Sequence, residues 1–389
     1  MTKNARPTRV IAVIVALIAV SGGACVRAQQ QPDSADLNDR TVWSFEPSVA
    51  YDALSFINGL SGDPFYAPYY GNSVRRFDAR LSDPARRSFA RLARRKQRYG
   101  FIYSAFTTML ASTASPSDMK ELADYFSRPG EVMRAYRRTE YYRPIHGALF
   151  RFGVARDSVR VVRGLDKAGF EAYWRERKLP LIEERIAELR DASASWDIVP
   201  EIERRLGEPV DGESVQVYVL AFGQPHAVKL DGNRLLVDLS YSDEIIAQNA
   251  IHELMHPPVD WSEPDMRALV DRLEASPLVR RSFDGRDPAF GYNQFQGYIE
   301  ESIVRVLEQR IAEGLGLASR AGEDRWRHDD GGMHVFAAVL YALTDEEGYM
   351  ASDEPIDDFL VRHFVDGDVT EDRLVALWER GTDAHGGDE

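Results

Sequence analysis

Residues 252–256 read His-Glu-Leu-Met-His. Two histidines four residues apart project from one face of an α-helix, one turn apart, so one tetrahedral ion can take both imidazoles. Glu253 lies about 100° around the helix from His252. There it cannot easily join the same ligand set, but it can reach a water at the ion's open position, take its proton and pass it to a leaving group. A further ligand has to come from elsewhere. The single cysteine is Cys25, in a leader-like segment, which leaves His, Asp and Glu. Downstream, Tyr298-Ile-Glu-Glu-Ser-Ile-Val-Arg305 opens a helix continuing to about Ala312, with Ile299, Ile303, Val306, Leu307 and Ile311 as its buried stripe. The paired acids Glu300 and Glu301 sit near its start, close to that stripe, a position that suits a ligand; Glu301 is the preferred of the two. Favourable charge at a helix start is the plainer explanation of the pair.

These side chains need elements to hold them. Ser242 can cap a helix whose first turn carries Asp243 and Glu244 and whose body runs through Ile245, Ile246, Ala250 and Ile251 to His256. Pro257-Pro258 stops it. Two β-branched and aromatic runs precede it, Ser214 to Phe222 and Arg234 to Tyr241, with Asp231-Gly232-Asn233 as turn chemistry before the second. They read as a small antiparallel sheet, and the Arg234–Tyr241 strand as an edge that can take an extended peptide. The N-terminal half is mostly helical in pattern. A helix opens at Asp83-Pro84 and runs to about Arg98; another spans Asp118 to Phe126; a third passes through Val132 and Tyr136. Ala168 to Arg190 is a long charged segment that Pro180 kinks or splits.

The fold expected is α+β: a mainly helical region over residues 43–205, then a domain over 206–389 with the small sheet and the motif helix. Before these come residues 1–28, a signal peptide, and 29–42, a linker. Lys3, Arg6 and Arg9 precede the apolar run Val10 to Val20, which is short for a bilayer span, and small residues follow. Cleavage after Ala28 gives a secreted or periplasmic protein; lipid attachment at Cys25 is the alternative. No later stretch is long and apolar enough to span a membrane. The formal net charge is −14. Residues 1–28 hold four basic residues and no acid, so their removal leaves −18, a poor balance for binding nucleic acid. The basic run Arg86 to Arg98, interleaved with Phe89 and Leu92, reads as a solvated helix face.

His252-Glu-Leu-Met-His256 on a helix behind strands, with a glutamate-bearing helix downstream, resembles the gluzincin branch of the zincin metallopeptidases. The resemblance covers roughly Val215 to Tyr341. It implies a zincin-like catalytic domain, one zinc ion per chain held by His252, His256 and Glu301, Glu253 as general base, and a peptide or protein substrate. Asp329-Asp-Gly-Gly-Met-His334 is similar to the Asp-x-Gly-Gly-x-His of thermolysin-like members; carried over, His334 stabilises the oxyanion and Asp329 orients it. Tyr298 and Tyr341 are alternative oxyanion donors, and His226 and His328 are structural or exposed. There are departures: the family's Asp four residues after the ligand glutamate, which supports the first histidine, is here Arg305, and Pro257 directly follows the second histidine. The alternative is a non-catalytic binding or structural protein with a degenerate zinc site, against which the intact Glu253 counts.

Overall fold

The computed structural model describes residues 40–382 except 61–65, 100–101, 140, 211–213, 288–293 and 368. The segment read as a signal peptide, with Cys25, and most of the segment read as a linker lie outside the described residues. The chain is α+β, with many helices and a four-stranded sheet among the described residues. It divides into two compact units, one built from 43–193 and 212–241, the other from 194–211 and 242 onward. No helix among the described residues is long and apolar enough to cross a membrane.

In the first unit the sheet order is β1 (Trp43–Pro47), β2 (Val215–Leu220), β4 (Arg234–Asp238), β3 (Val228–Lys229). β1 pairs parallel with β2, and β2 parallel with β4. This corrects the antiparallel pairing expected of the two long runs. The turn at Asp231-Gly232-Asn233 is real, but it joins β4 to the two-residue β3, which is its antiparallel partner. β2 reaches β4 by a connection long enough to bring it back parallel. Its sequence, Val-Gln-Val-Tyr-Val-Leu, is buried at every position but Gln216, the near-continuous apolar run typical of a parallel strand covered on both faces. At Leu235 and Leu236, β4 has β2 on one side and β3 on the other, so it offers no free edge there to an extended peptide.

The helices of this unit follow their local signals. The helix Asp83–Tyr99 starts at Asp-Pro, Asp118 caps Met119–Phe126 by accepting from the Glu121 amide, and Pro180 splits the long segment into Phe170–Arg177 and Leu179–Ala192. The buried Asp52 ties three elements together. Its carboxylate accepts hydrogen bonds from the Ala221 and Phe222 amides beyond β2, at 3.0 and 2.8 Å, and from Trp174 Nε1 at 2.6 Å.

The second unit carries the motif. Helix Asp243–Leu254 begins as its residues dictate, with Ser242 Oγ accepting from the Ile245 amide. It ends two residues before the second histidine rather than at it. The residue before a proline is driven out of the α region, and Pro257 has no N–H to continue the ladder; His256 therefore sits in the turn just past the helix. Beside it packs helix Phe295–Gly314, which in turn packs on Val335–Glu346, and that on Glu371–Thr382. Phe295–Gly314 is a central helix, buried continuously from Gly297 to Gln309. Yet that buried stretch includes Glu300, Glu301, Arg305 and Glu308. Charges are costly in such a place unless paired or coordinating an ion, so the partners of these four decide what the buried stretch is for.

Candidate metal centre

The two adjacent helices bring three side chains to one point. Nε2 of His252 and Nε2 of His256 are 3.2 Å apart, and Glu301 Oε2 lies 3.8 Å from each of them. All three ligand atoms fall within 4.8 Å of one another, and the group can hold a metal ion. A point equidistant from three atoms spaced this way lies about 2.1 Å from each, the length of a zinc bond to nitrogen or carboxylate oxygen. His252 and Glu301 are fully buried, while the His256 side chain keeps 12% of its surface exposed.

The outer nitrogens explain why the inner ones face each other. His252 Nδ1 is 3.1 Å from Glu308 Oε2, and His256 Nδ1 is 3.2 Å from Glu300 Oε1. A carboxylate accepts only, so each holds its imidazole with the proton on Nδ1 and the lone pair on Nε2. Two lone pairs and a carboxylate oxygen then converge, and convergence of pure acceptors is favourable only around a cation. This donor chemistry fits a divalent metal, with nitrogen and oxygen ligands and no sulfur.

Each supporting group is itself held. Arg305 Nε donates to Glu301 Oε1 at 2.8 Å, which leaves Oε2 directed at the histidines. Burial pushes the Glu301 carboxyl up, but His252, Arg305 and His256 outweigh it and hold it well below the usual carboxylate range. For Glu308 burial also raises the carboxyl, and Arg325 and His252 more than reverse it. Arg325 grips both Glu308 oxygens, Nη1 to Oε1 at 2.9 Å and Nη2 to Oε2 at 3.2 Å. Glu253, next to the first histidine, is 4% exposed.

The geometry sorts the paired acids: Glu301 joins the histidine nitrogens, and Glu300 supports His256 from outside. Glu308 was missed from sequence. It stands seven residues after Glu301, two helical turns on and so on nearly the same face. It supplies the support for the first histidine that the resemblance placed four residues after the ligand, where Arg305 stands. An acid in register with Glu301 inside a buried stripe was the available signal. Arg325, on the separate helix Gly322–His328, left none.

The Asp-Asp-Gly-Gly-Met-His segment needs one correction. His334 is fully buried, and its Nε2 meets Asp330 Oδ2 at 2.8 Å, so Asp330 and not Asp329 is its partner. Asp330 opens a left-handed turn, at φ +49° and followed by Gly331 and Gly332 at φ +75° and +78°, which folds it back over the residue four ahead. Asp329 turns instead to Arg320 Nη2 at 2.6 Å. Arg305 Nη2 also donates to Asp330 Oδ2 at 3.0 Å, so one guanidinium joins the Glu301 carboxylate to the Asp330–His334 pair. Burial, then Arg305, lower the His334 imidazole below its ordinary value. The alternative oxyanion donors are committed elsewhere: Tyr298 Oη donates to the Met333 carbonyl at 2.8 Å and Tyr341 Oη to Glu313 at 2.8 Å. His226 is buried, with Nε2 2.9 Å from Tyr66 Oη, and His328 is exposed, with Nδ1 2.9 Å from the Asp324 carbonyl. No family model matches the chain, and no curated protein or solved structure matches it either.

Proposed function

We propose that the protein is a secreted or periplasmic zinc metallopeptidase of gluzincin type, with His252, His256 and Glu301 as ligands and Glu253 as general base. The observation that carries this reading is the convergence of two tautomer-locked Nε2 atoms and one carboxylate oxygen on a point at zinc-bond distance, with a glutamate next to the first histidine. The chemistry a bound zinc ion supplies is a water acidified toward neutrality and a polarised carbonyl. Glu253 takes the proton of the attacking water and gives it to the leaving amine, so one water is consumed per bond cleaved. Glu308 and Glu300 keep both imidazoles in the ligating tautomer, and Arg305 keeps Glu301 Oε2 turned inward. The resemblance carries the oxyanion role to His334, but its Nε2–H is committed to Asp330 and burial lowers its imidazole pKa, so no oxyanion donor is assigned to it.

A second reading, a metal-stabilised binding protein, draws on the near-complete burial of His252, Glu253 and Glu301. The first test is zinc content of the purified protein beside His256→Ala and Glu301→Ala. About one zinc per chain, lost or weakened in both variants, is expected. No zinc in the wild type after reloading removes the proposal. Glu253→Gln then separates the readings: retained zinc with peptide hydrolysis reduced about a hundredfold or more supports the peptidase. Wild-type protein with full zinc and no hydrolysis of any peptide in a random-sequence library supports the structural role.

A further inference from the structure

Residues 75–163 carry 20 Lys and Arg against 8 Asp and Glu, a net +12, in a chain whose formal charge is −14. The whole-chain balance conceals this segregation. It is densest on helix Asp83–Tyr99, where an open surface hollow of about 600 Å³ is lined by Arg91, Arg94, Arg95, Gln97 and Arg98. Two of these guanidinium groups are fixed by one acid. The buried Asp157 receives Arg91 Nε at 3.1 Å and Arg95 Nη1 at 2.6 Å. One carboxylate serving two arginines leaves the hollow with an excess of positive charge. Arg94 is exposed and has no ion pair among the described residues. Fixed forked donors around a hollow are the chemistry that recognises phosphate.

One of these arginines, Arg95, touches an unusual piece of backbone. Arg95 Nη1 is 3.4 Å from the Gly153 carbonyl. Gly153 has φ +152°, a conformation that side-chain-bearing residues rarely adopt, so the position favours glycine, and a Cβ there would also displace the Arg95 guanidinium. At the break in helical geometry at Phe152 and Gly153, Phe152 is 86% exposed. Ile145, on the adjoining helix Pro144–Leu149, is 58% exposed. Isolated exposed apolar residues are ordinary; two within eight positions, on the segment that abuts an arginine-lined hollow, form a pattern.

We propose that this face docks on an anionic lipid surface, with phosphate headgroups in the arginine hollow and Phe152 inserted at the boundary between headgroups and acyl chains. Clustered basic residues beside an exposed aromatic are what such a surface attracts. A soluble phosphate gains nothing from an exposed phenyl ring, and Ile145 has no face on which a nucleic-acid base can stack. The rest of the chain carries −26 and is repelled by the same surface, so attachment is local and salt-sensitive.

The test is co-sedimentation of the full protein with phosphatidylcholine vesicles, and with phosphatidylcholine–phosphatidylglycerol vesicles, at low and high salt. Binding confined to the anionic vesicles and lost at high salt is expected. Arg94→Glu with Arg151→Glu should weaken it about tenfold or more, and Phe152→Ser should weaken it with the same salt dependence. All these positions are exposed, so circular dichroism and melting should match wild type. Equal binding to neutral vesicles, no binding to either, binding untouched by the variants, or capture of single-stranded DNA or polyphosphate without vesicle binding would each overturn the proposal.

Discussion

Replacing Glu308 with glutamine should separate two kinds of damage. The wild-type carboxylate accepts from His252 Nδ1 at 3.1 Å and from both terminal nitrogens of Arg325. Glutamine keeps one oxygen and presents an NH2 in place of the other, so either His252 or Arg325 meets a donor where it had an acceptor. Arg325 is 5% exposed; it keeps Gln309 Oε1 at 2.7 Å and Asp329 at 3.6 Å but loses its only bidentate anion. Removing one partner of a buried ion pair costs about 3–5 kcal/mol. Loss of the group that orients a metal-binding histidine costs about 10–100-fold in metal affinity. Urea unfolding in the presence of chelator measures the first effect, and zinc titration against a competing chelator measures the second. The double change Glu308→Leu with Arg325→Met dissociates them. It buries no unpaired charge, so it should recover most of the stability, while His252 still lacks its acceptor and affinity stays low. Zinc affinity of Glu308→Gln within about threefold of wild type, or a double variant that recovers both properties, refutes the argument that Glu308 sets the His252 tautomer.

Other expectations concern groups farther from the ligands. Arg305→Met strips Glu301 and Asp330 of a shared cation and should destabilise the chelator-treated protein by about 3 kcal/mol or more; zinc, which gives Glu301 a new counter-charge, should narrow the gap, and a gap unchanged by zinc contradicts the assigned geometry. Asp52 is held by burial at a raised pKa of about 7, against the hydrogen bonds from Trp174, Ala221 and Phe222 and with a small push from Asp238. The folded state thus keeps a proton that the unfolded chain gives up near its ordinary value of 3.8. Stability relative to the non-titrating Asp52→Asn should fall as pH rises from about 4 to 7, by up to about 4 kcal/mol, and level off above; a flat difference over that range speaks against it. Gly381→Ala would place a methyl 2.1 Å from the Ala338 carbonyl, forcing two packed helices apart, and should lower stability by about 1–3 kcal/mol, read from the shift of a urea midpoint.

What could be read in the sequence was what neighbours in the chain determine. Ser242 and Asp118 cap the helices they precede, Pro180 divides its segment, and the four-residue spacing keeps His252 and His256 close, although His256 lies in the turn past the helix and not on its face. The failures share a different cause. β1 is five residues long and pairs with a strand some 170 positions later, so no local pattern marks it, and without it the parallel character of the sheet is invisible. Glu308 and Arg325 act on His252 through packing of separate helices. Asp330 replaced Asp329 as partner of His334 because a left-handed backbone turn, and not the spacing of residue types, decides which of two adjacent acids folds back.

The charge inventory of the buried centre argues for a cation independently of the ligand geometry. Glu253, Glu300, Glu301 and Glu308 are all buried, against Arg305 and Arg325 as buried cations. The excess is at least two negative charges, and Asp330, bonded to Arg305 and His334, only adds to it. Protonated histidines would offset it poorly, because two imidazolium N–H groups cannot point at each other across the 3.2 Å that separates the Nε2 atoms. A divalent ion at the equidistant point removes both difficulties at once: it accepts the two lone pairs and brings two positive charges to where the carboxylates converge. The folded chain should therefore be more stable with zinc than without, by an amount that grows with the logarithm of free zinc above its dissociation constant. A melting temperature indifferent to zinc in the wild type, but not limited by irreversible aggregation, would show that the excess charge is balanced in some other way.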